Sequence, residues 1–240
     1  MAGVAQSACN ERANAFTTPN GIEILMLANI VVQFFEAGGP VMWPILICTL
    51  VTVAVVGERV FWWVRERARR DSSRLEKVLG SLENSDFPQA TAEAKDTNDP
   101  VIRMIYHGLN HYHSSLEGAL EVAAGVELQR AGRFLTVMDT MVTLAPLLGL
   151  LGTVTGLMKA FLKVGEAELS VQAVTGGIGE ALIATACGLG IAILALVPFN
   201  YFTRKHAQLQ FELETAATNV VVMVNAAKAR TAGGGGERKG

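Results

Sequence analysis

Three polar side chains stand in or beside otherwise apolar stretches of the chain. Glu180 directly precedes the apolar run 181–203, Thr185 lies within that run, and Thr153 lies in the uncharged stretch 140–158. A carboxylate inside hydrocarbon is costly, and it normally faces the interior of a helix bundle or a water-filled path. The alternative is that Glu180 lies at the headgroup level and is simply solvated. Position alone leaves both open, because helix ends shift by a turn.

The histidines form a second cluster, His107, His111 and His113. The first two are spaced i, i+4 and could hold a metal on one helix face. No cysteine or carboxylate accompanies them at the close spacing of known zinc motifs. We therefore favour a solvated face and predict no bound metal.

Catalytic arrangements are missing from the sequence pattern. No Ser/His/Asp or Cys/His combination and no acid pair suited to hydrolysis is apparent. The segment from Gly149 to Gly152 superficially resembles a phosphate-binding loop, but it lacks the Gly-Lys-Ser/Thr ending and lies inside an apolar run. We predict that the protein is not an enzyme and has no cofactor.

Composition indicates a membrane protein. Of the 240 residues 50% are hydrophobic and 18% are charged, and the formal net charge is -2. A chain without a basic excess lacks the electrostatic footprint of nucleic-acid binding, so no nucleic-acid partner is expected. The cysteines, Cys9, Cys48 and Cys187, are odd in number, and two lie in apolar runs, which favours packing over disulfides.

Three stretches are long and apolar enough to cross a bilayer, which requires about 20 residues for roughly 30 Å of hydrocarbon. We predict transmembrane helices at 38–64, 134–163 and 173–203. Tryptophans at 43, 62 and 63 stand at the two ends of the first one, where aromatic belts form. The Glu58–Arg59 pair near its end is expected to anchor the interface, with a separate partner for each residue, because adjacent helical residues do not face each other.

Small residues recur on the second and third spans. Such stripes allow backbones to approach closely, and they are typical of helices that pack on other helices within a membrane. We predict a packing seam, which also supports oligomerisation, made of Gly149, Gly152 and Gly156 on one helix and Ala181, Ala184 and Gly188 on the other.

Basic residues set the orientation of the spans. A Lys/Arg excess follows the first span at 65–70, precedes the second at Arg130 and Arg133, and follows the third at 204–205. These flanks place 65–133 and the helix 204–232 in the cytoplasm. Over 71–133 we predict a helical hairpin with breaks at Phe87-Pro88 and Asn98-Asp99-Pro100. Without a proline between 114 and 146, the second span is expected to continue a cytoplasmic stalk as one helix from Ser114 to Leu162.

The order of residues on the two seam helices carries a family resemblance. The chain reads Ala-Pro-Leu-Leu-Gly-Leu-Leu-Gly-Thr-Val-x-Gly from 145, then Gly-Ile-x-Glu-Ala-Leu-x-x-Thr-Ala-x-Gly-Leu from 177. This pair of patterns resembles the paired-helix signature of the MotA/TolQ/ExbB proton-channel family. The Gly-Gly-Pro-Val-Met-Trp-Pro-Ile opening from 38 also looks like TolQ/ExbB-type members, and three spans instead of four speak against a flagellar stator.

The resemblance implies a fold and partners. It implies an all-α bacterial inner-membrane homopentamer, its second and third spans extended into long cytoplasmic helices, around two copies of an ExbD/TolR-like one-span protein with an intramembrane Asp. Outside the resemblance, the residue pattern and the basic flanks predict a periplasmic segment with an interfacial helix at 1–37, a periplasmic loop at 164–172 and a flexible tail at 233–240.

The resemblance also assigns roles to residues. It implies that Thr153 and Thr185 line the route of a transported proton, that Glu180 lies in the lumen near the periplasmic end, and that Pro146 shapes the second helix. Gly179 departs from the Ala or Ser that relatives often carry. The expected function is a motor subunit driven by the proton motive force, which forms the wall rotating around the partner; the alternatives are a structural membrane scaffold or a self-contained ion channel.

Overall fold

A computed structural model describes residues 32–33, 35–111, 115–164 and 171–234. Over those ranges the regular structure is helical, without strands. The helices are α1 (Met42–Ala68), α2 (Ser72–Glu83), α3 (Phe87–Ala94), α4 (Pro100–Asn110), α5 (Leu116–Ala131), α6 (Leu135–Val164) and α7 (Val171–Gly234).

Three of these helices are long and apolar enough to span a membrane, as predicted. They are α1, α6 and α7, with mean hydropathies of 1.9, 1.8 and 2.3 over their most apolar windows. Helix α7 has 64 residues, far more than the roughly 20 that a crossing requires. The predicted extension of the third span as one long helix is therefore present.

The chain forms two compact units. Of the described residues, those up to 51 and those within 141–194 belong to the first, and those within 52–140 and from 195 onward belong to the second. Each described unit has its own buried apolar cluster. Helices α1, α6 and α7 each contribute to both units, so the membrane-spanning helices are covalently continuous with the second core.

The first unit is held together by close packing of small and branched residues. Ala145 of α6 and Ala184 of α7 are fully buried against Val41, Met42 and Ile45 at the start of α1. Large apolar side chains on the other faces are exposed, as expected for surfaces that meet lipid or other helices; they include Leu147, Leu150, Val154, Leu182 and Ile193.

The second unit is a helical core built on the distal part of α7. An apolar stripe on that helix is buried, with Leu209, Leu213 and Val220 nearly inaccessible to solvent. Val78 and Leu82 of α2 belong to the same cluster, which also contains much of α4 and α5. Burying each such side chain stabilises the folded chain by about 2 kcal/mol. The stripe therefore contributes to holding the helices of 72–131 against α7.

The prediction of a single hairpin over 71–133 is wrong, because this segment forms the four helices α2 to α5. Aspartates start three of them: Asp71, Asp86 and Asp99 accept hydrogen bonds from the first-turn backbone amides of α2, α3 and α4. Prolines follow at the beginning of α3 and α4, where the missing N–H costs nothing. Each Asp-x-Pro or Asp-Pro sequence therefore starts a new helix.

The predicted continuous helix from Ser114 to Leu162 is also wrong. Helix α5 ends at Ala131, Phe134 has a φ of 66°, and α6 begins at Leu135. A left-handed residue cannot continue an α-helical ladder, and for a bulky side chain it is rare. The apolar periodicity does not register this break, because it persists on both sides of it.

Several predictions fall outside the described residues. They concern the N-terminal segment with its interfacial helix, which lies almost wholly in residues 1–31, and also His113, the core of the predicted loop at 165–170 and the last part of the tail at 235–240.

Candidate functional site

The close approach of α6 and α7 positions the predicted ion-path residues. A Cβ atom placed on Gly149 would lie 3.1 Å from the Cα of Thr185 and 3.2 Å from the carbonyl oxygen of Ala184. One placed on Gly188 would lie 2.5 Å from the carbonyl oxygen of Ala145. The two backbones are therefore in contact at a distance that only glycine allows.

The same seam continues toward the ends of the helices that meet the undescribed loop. A Cβ on Gly152 would overlap the Cβ of Ala184, and one on Gly156 would lie 2.9 Å from the carbonyl oxygen of Gly177. These contacts join two helices of one chain. The small-residue seam therefore has a structural role within the chain, without a second copy.

Thr185 makes the polar contact across the seam. Its Oγ1 lies 3.1 Å from the carbonyl oxygen of Gly149 on α6 and 3.1 Å from that of Ala181 on its own helix. A hydroxyl has one proton, so it donates to one of these two oxygens at a time. In either state the Thr185 proton is bound to backbone, and its oxygen lone pairs are what the side chain offers to a third group.

Thr153 also donates its proton to a backbone carbonyl, in this case on its own helix, α6. Its Oγ1 donates a 2.7 Å hydrogen bond to the carbonyl oxygen of Leu150. The neighbouring Thr155 lies 3.0 Å from the carbonyl oxygen of Leu151 and 3.1 Å from that of Gly152. Thr155 was not among the predicted site residues, although its place in the same Gly-Thr-Val-Thr-Gly segment could have indicated it.

Glu180 is paired with a lysine. The Nζ of Lys159 lies 2.6 Å from Oε1 of Glu180, with the two side chains 42% and 21% exposed. Glu180 is thus neither fully solvated nor an isolated charge in an apolar interior. The contact of Gly156 with α7 sets the register of the helix pair, and Lys159, one turn further along α6, is thereby brought to Glu180.

A backbone turn lies against this ion pair. Gly39 has a φ of 71°, and a Cβ atom there would overlap the Glu180 carboxylate. Gly39 is therefore required for its conformation and also for the space it leaves. The amino-acid sequence alone does not place Lys159 or Gly39 beside Glu180, because both contacts depend on the register between helices.

The predicted residues do not form one connected cluster. Among the described residues, no hydrogen bond joins Thr153 to Thr185 or either threonine to Glu180. Pro146 lies inside α6, half-buried, where its ring removes one backbone donor from the ladder. The arrangement is a helix pair with acceptor oxygens along it and a compensated ion pair toward one end.

The prediction of separate partners for Glu58 and Arg59 is wrong. Arg59 Nε lies 2.6 Å from Oε2 of Glu58, and a second bond of 3.0 Å joins Nη2 to Oε1. Arg59 is only 1% exposed, whereas the Glu58 side chain is 40% exposed. A long guanidinium can fold back to its neighbour, which the rule for adjacent helical positions does not anticipate.

The four helices α2 to α5 hold a second ionic cluster. Arg103 donates a 2.8 Å hydrogen bond to buried Glu127, and Arg130 lies 3.1 Å from the same carboxylate. Burial opposes the charge of Arg103, but its bonds to Glu127 outweigh that effect and raise the pKa of Arg103 above its usual range. This cluster is a charged, hydrogen-bonded network, and its geometry suits a structural role.

The histidine pair weighed above as a metal site has no ligand set in the part of the chain that the structure describes. Nδ1 of His111 lies 3.0 Å from the backbone oxygen of His107. No group of three metal-ligating side chains is present among those residues. The i, i+4 spacing of His107 and His111 therefore allows a local contact between the His111 side chain and the His107 backbone.

Comparison with known proteins gives the family. A profile described as the MotA/TolQ/ExbB proton channel family matches residues 96–215. The chain belongs to the MotA/TolQ/ExbB proton channel family. That family is one of transport and channel proteins, and the match includes α4 to α6 and most of the apolar part of α7.

Individual relatives support the assignment over most of the chain. The chain is 36% identical over 200 residues to the putative biopolymer transport protein ExbB-like 3 of Synechocystis sp., covering 78% of this chain and 91% of that protein. It is 35% identical over 182 residues to ExbB-like 1 of the same organism, covering 72% and 71%. The biopolymer transport protein ExbB of Neisseria meningitidis is 28% identical over 210 residues, covering 78% and 94%.

Proposed function

We propose that this chain is the wall subunit of a motor in the bacterial inner membrane that is driven by the proton motive force. Five copies would surround two copies of an ExbD/TolR-like one-span partner whose intramembrane Asp binds the transported proton. Rotation of the wall around the partner would energise a periplasmic or outer-membrane process. Family membership and three apolar helices support this proposal.

The observation that carries the mechanism is how the two threonines use their protons. Thr153 donates to Leu150, and Thr185 donates to Gly149 or Ala181. Each threonine therefore presents lone pairs to a group in the lumen. A protonated carboxylic acid has an O–H to donate and is a suitable partner, whereas an ionised carboxylate only accepts and finds no donor there.

This selectivity gives the wall a role in coupling. The partner's Asp would pass the threonines in its neutral form, and it would ionise only where water or another donor is available. Proton uptake and release would then be confined to the two ends of the route. A unit charge crossing 100 mV provides about 2.3 kcal/mol, so the contacts between wall and partner must be weak for one proton to drive a step.

The ion pair suits the periplasmic end of such a route. Lys159 compensates Glu180, so the pair adds no net charge to the lumen while keeping an acceptor available to incoming protons or water. We place this end on the periplasmic side, the N-terminus in the periplasm and the C-terminus in the cytoplasm, because basic residues follow α1 and the apolar part of α7.

The alternatives make different demands. A self-contained channel requires a relay of titratable groups through the membrane, yet the acid that the described seam offers is Glu180, which is already paired with Lys159. A scaffold requires only packing, so it does not depend on any hydroxyl. The threonines therefore separate the motor from the scaffold.

The test is proton flux in vesicles that contain this chain with its one-span partner. The variant Thr153→Val with Thr185→Val keeps the shape of both side chains but lacks the hydroxyl oxygens, and the matched control replaces both threonines with Ser. We expect at least a tenfold loss of flux in the Val variant, roughly the value of one unmet hydrogen bond to a transported group, and little change in the control. Yield of the complex is measured in parallel. Normal flux in the Val variant with an intact complex would refute the acceptor route.

A further inference from the structure

A cavity of about 290 Å³ lies between the end of α1 and the middle of α7, within the second unit. Trp63 and Arg67 line it from α1, and Tyr201 and Lys205 line it from α7. Its volume is close to the lower limit of roughly 300 Å³ for small-molecule sites. The cavity is separate from the seam that carries Thr153 and Thr185, and the proposed transport function does not use it.

The carboxylates that line the cavity have basic partners. Glu212 forms a salt bridge with Arg70 and also accepts a 3.2 Å hydrogen bond from Gln208. Buried Glu66 lies 3.7 Å from Arg69. Neither acid is therefore available to neutralise an additional cation at the cavity.

Two cations in the lining remain uncompensated. Lys205 donates a 3.2 Å bond to the side-chain amide oxygen of Gln208, which carries no charge. Among the described residues, Arg67 has no carboxylate partner. These cations come from two different helices and line the same cavity, so both would attract an anion bound there.

A hydrogen-bond donor in the lining also lacks a partner. Nε1 of Trp63 is buried and has no acceptor in the part of the chain that the structure describes. A buried donor without an acceptor costs about 1–3 kcal/mol, so native proteins normally provide one. The nitrogen has almost no accessible surface, however, so an occupant of the open cavity would not reach it.

Apolar and aromatic residues beside the cavity indicate that the anion belongs to a lipid. Tyr201 is 53% exposed, and Val64 and Val197 on the same two helices are 65% and 68% exposed. Tryptophan and tyrosine are typical of the membrane–water interface, and basic pockets between helices at the cytoplasmic face bind anionic headgroups. We propose that the cavity binds the phosphate of an anionic phospholipid, with its acyl chains along this exposed apolar face.

The test is native mass spectrometry of the delipidated full-length chain, titrated with phosphatidylglycerol or with phosphatidylcholine. The first variant combines Arg67→Gln with Lys205→Gln. Its matched control combines Arg65→Gln with Arg204→Gln, which removes the same charge from exposed positions on the same helices outside the cavity lining. A third variant, Trp63→Phe, keeps an aromatic ring and removes only the N–H donor.

We expect phosphatidylglycerol to bind the unmodified chain more tightly than phosphatidylcholine. The Arg67/Lys205 variant should bind it about thirtyfold more weakly, the effect of two basic residues at an anionic surface. Trp63→Phe should bind it about as tightly as the unmodified chain, because the indole N–H is shielded from the cavity. The control should change by less than about threefold, because its charges are screened by solvent.

Three results would overturn the proposal. One is equal binding of the two lipids by the unmodified chain. Another is an equal loss in the Arg65/Arg204 control, which would indicate a general basic surface. The third is equally tight binding of glycerol 3-phosphate, which would indicate a site for a soluble phosphate. Should the double variant fail to fold, the single variants Arg67→Gln and Lys205→Gln take its place in the comparison with the control.

Discussion

Nη1 of Arg59 donates a 3.1 Å hydrogen bond to the carbonyl oxygen of Ala131, the last residue of α5. The guanidinium also lies over the rings of Trp62, at 5.1 Å, and Phe134, at 5.6 Å. One buried side chain of α1 therefore contacts both sides of the break between α5 and α6. We infer that Arg59 stabilises the left-handed conformation of Phe134.

Replacing Arg59 with Leu should strongly destabilise the protein. The change removes a charge-assisted bond to a buried carbonyl and two cation–π contacts, together about 3 kcal/mol. The melting temperature of the chain in detergent should fall by roughly 6–12 °C. Arg65→Leu, an exposed position on the same helix, is the matched control and should change it little. Equal shifts in the two variants would contradict a specific role for Arg59.

The seam between α6 and α7 allows a double-mutant test. Gly152→Ala places a methyl group on that of Ala184 and should destabilise the chain by about 1–3 kcal/mol. Ala184→Gly removes the opposing methyl group, so the double variant should recover most of the loss. Gly190→Ala is the control, because open space surrounds that position. Stability is measured by thermal unfolding in detergent, and additive effects of the two changes would argue against direct contact.

The pair formed by Lys159 and Glu180 should be functionally coupled. Glu180→Gln leaves the lysine charge uncompensated at the end of the proposed route, and this charge should repel incoming protons and reduce flux several-fold. Lys159→Met with Glu180→Gln removes both charges and should restore part of the flux. Flux in vesicles with the one-span partner is the readout. A double variant no better than Glu180→Gln alone would show that the carboxylate itself is required.

The proposed topology is tested with reporter fusions. A reporter that is active only in the periplasm should work at Ala167 and fail at Asn84 and Ala232, because of the basic flanks at 65–70 and 204–205. A cytoplasmic reporter at the same positions is the control and should give the opposite pattern. Activity of the periplasmic reporter at Asn84 would reverse the whole arrangement.

The spans and the seam could be predicted from the sequence because both depend on local patterns. Run length alone identifies α1, α6 and α7, and the spacing of Gly149, Gly152 and Gly156 places them on one helix face. The Asp and Pro residues that start α3 and α4 are equally local signals. These signals did not predict the number of helices in 71–133, because they were interpreted as breaks within a single hairpin.

The remaining features depend on contacts between distant parts of the chain. The break at Phe134 is supported by Arg59, 75 residues away in the sequence, and a helical pattern on both sides conceals it. The pairing of Lys159 with Glu180 requires the register of α6 against α7, which the seam fixes only in three dimensions. The acceptor that each threonine hydroxyl binds likewise depends on the side-chain rotamer, which the residue type does not determine.

The uninterrupted length of α7 has a mechanical consequence. At 1.5 Å per residue its 64 residues extend over about 96 Å, and successive turns are linked by hydrogen bonds, with one donor missing at Pro198. Torque applied at one end of such a helix reaches the other end through its backbone. The path through α6 and α5 lacks this torsional stiffness, because the bonded ladder stops at Ala131 and restarts at Leu135.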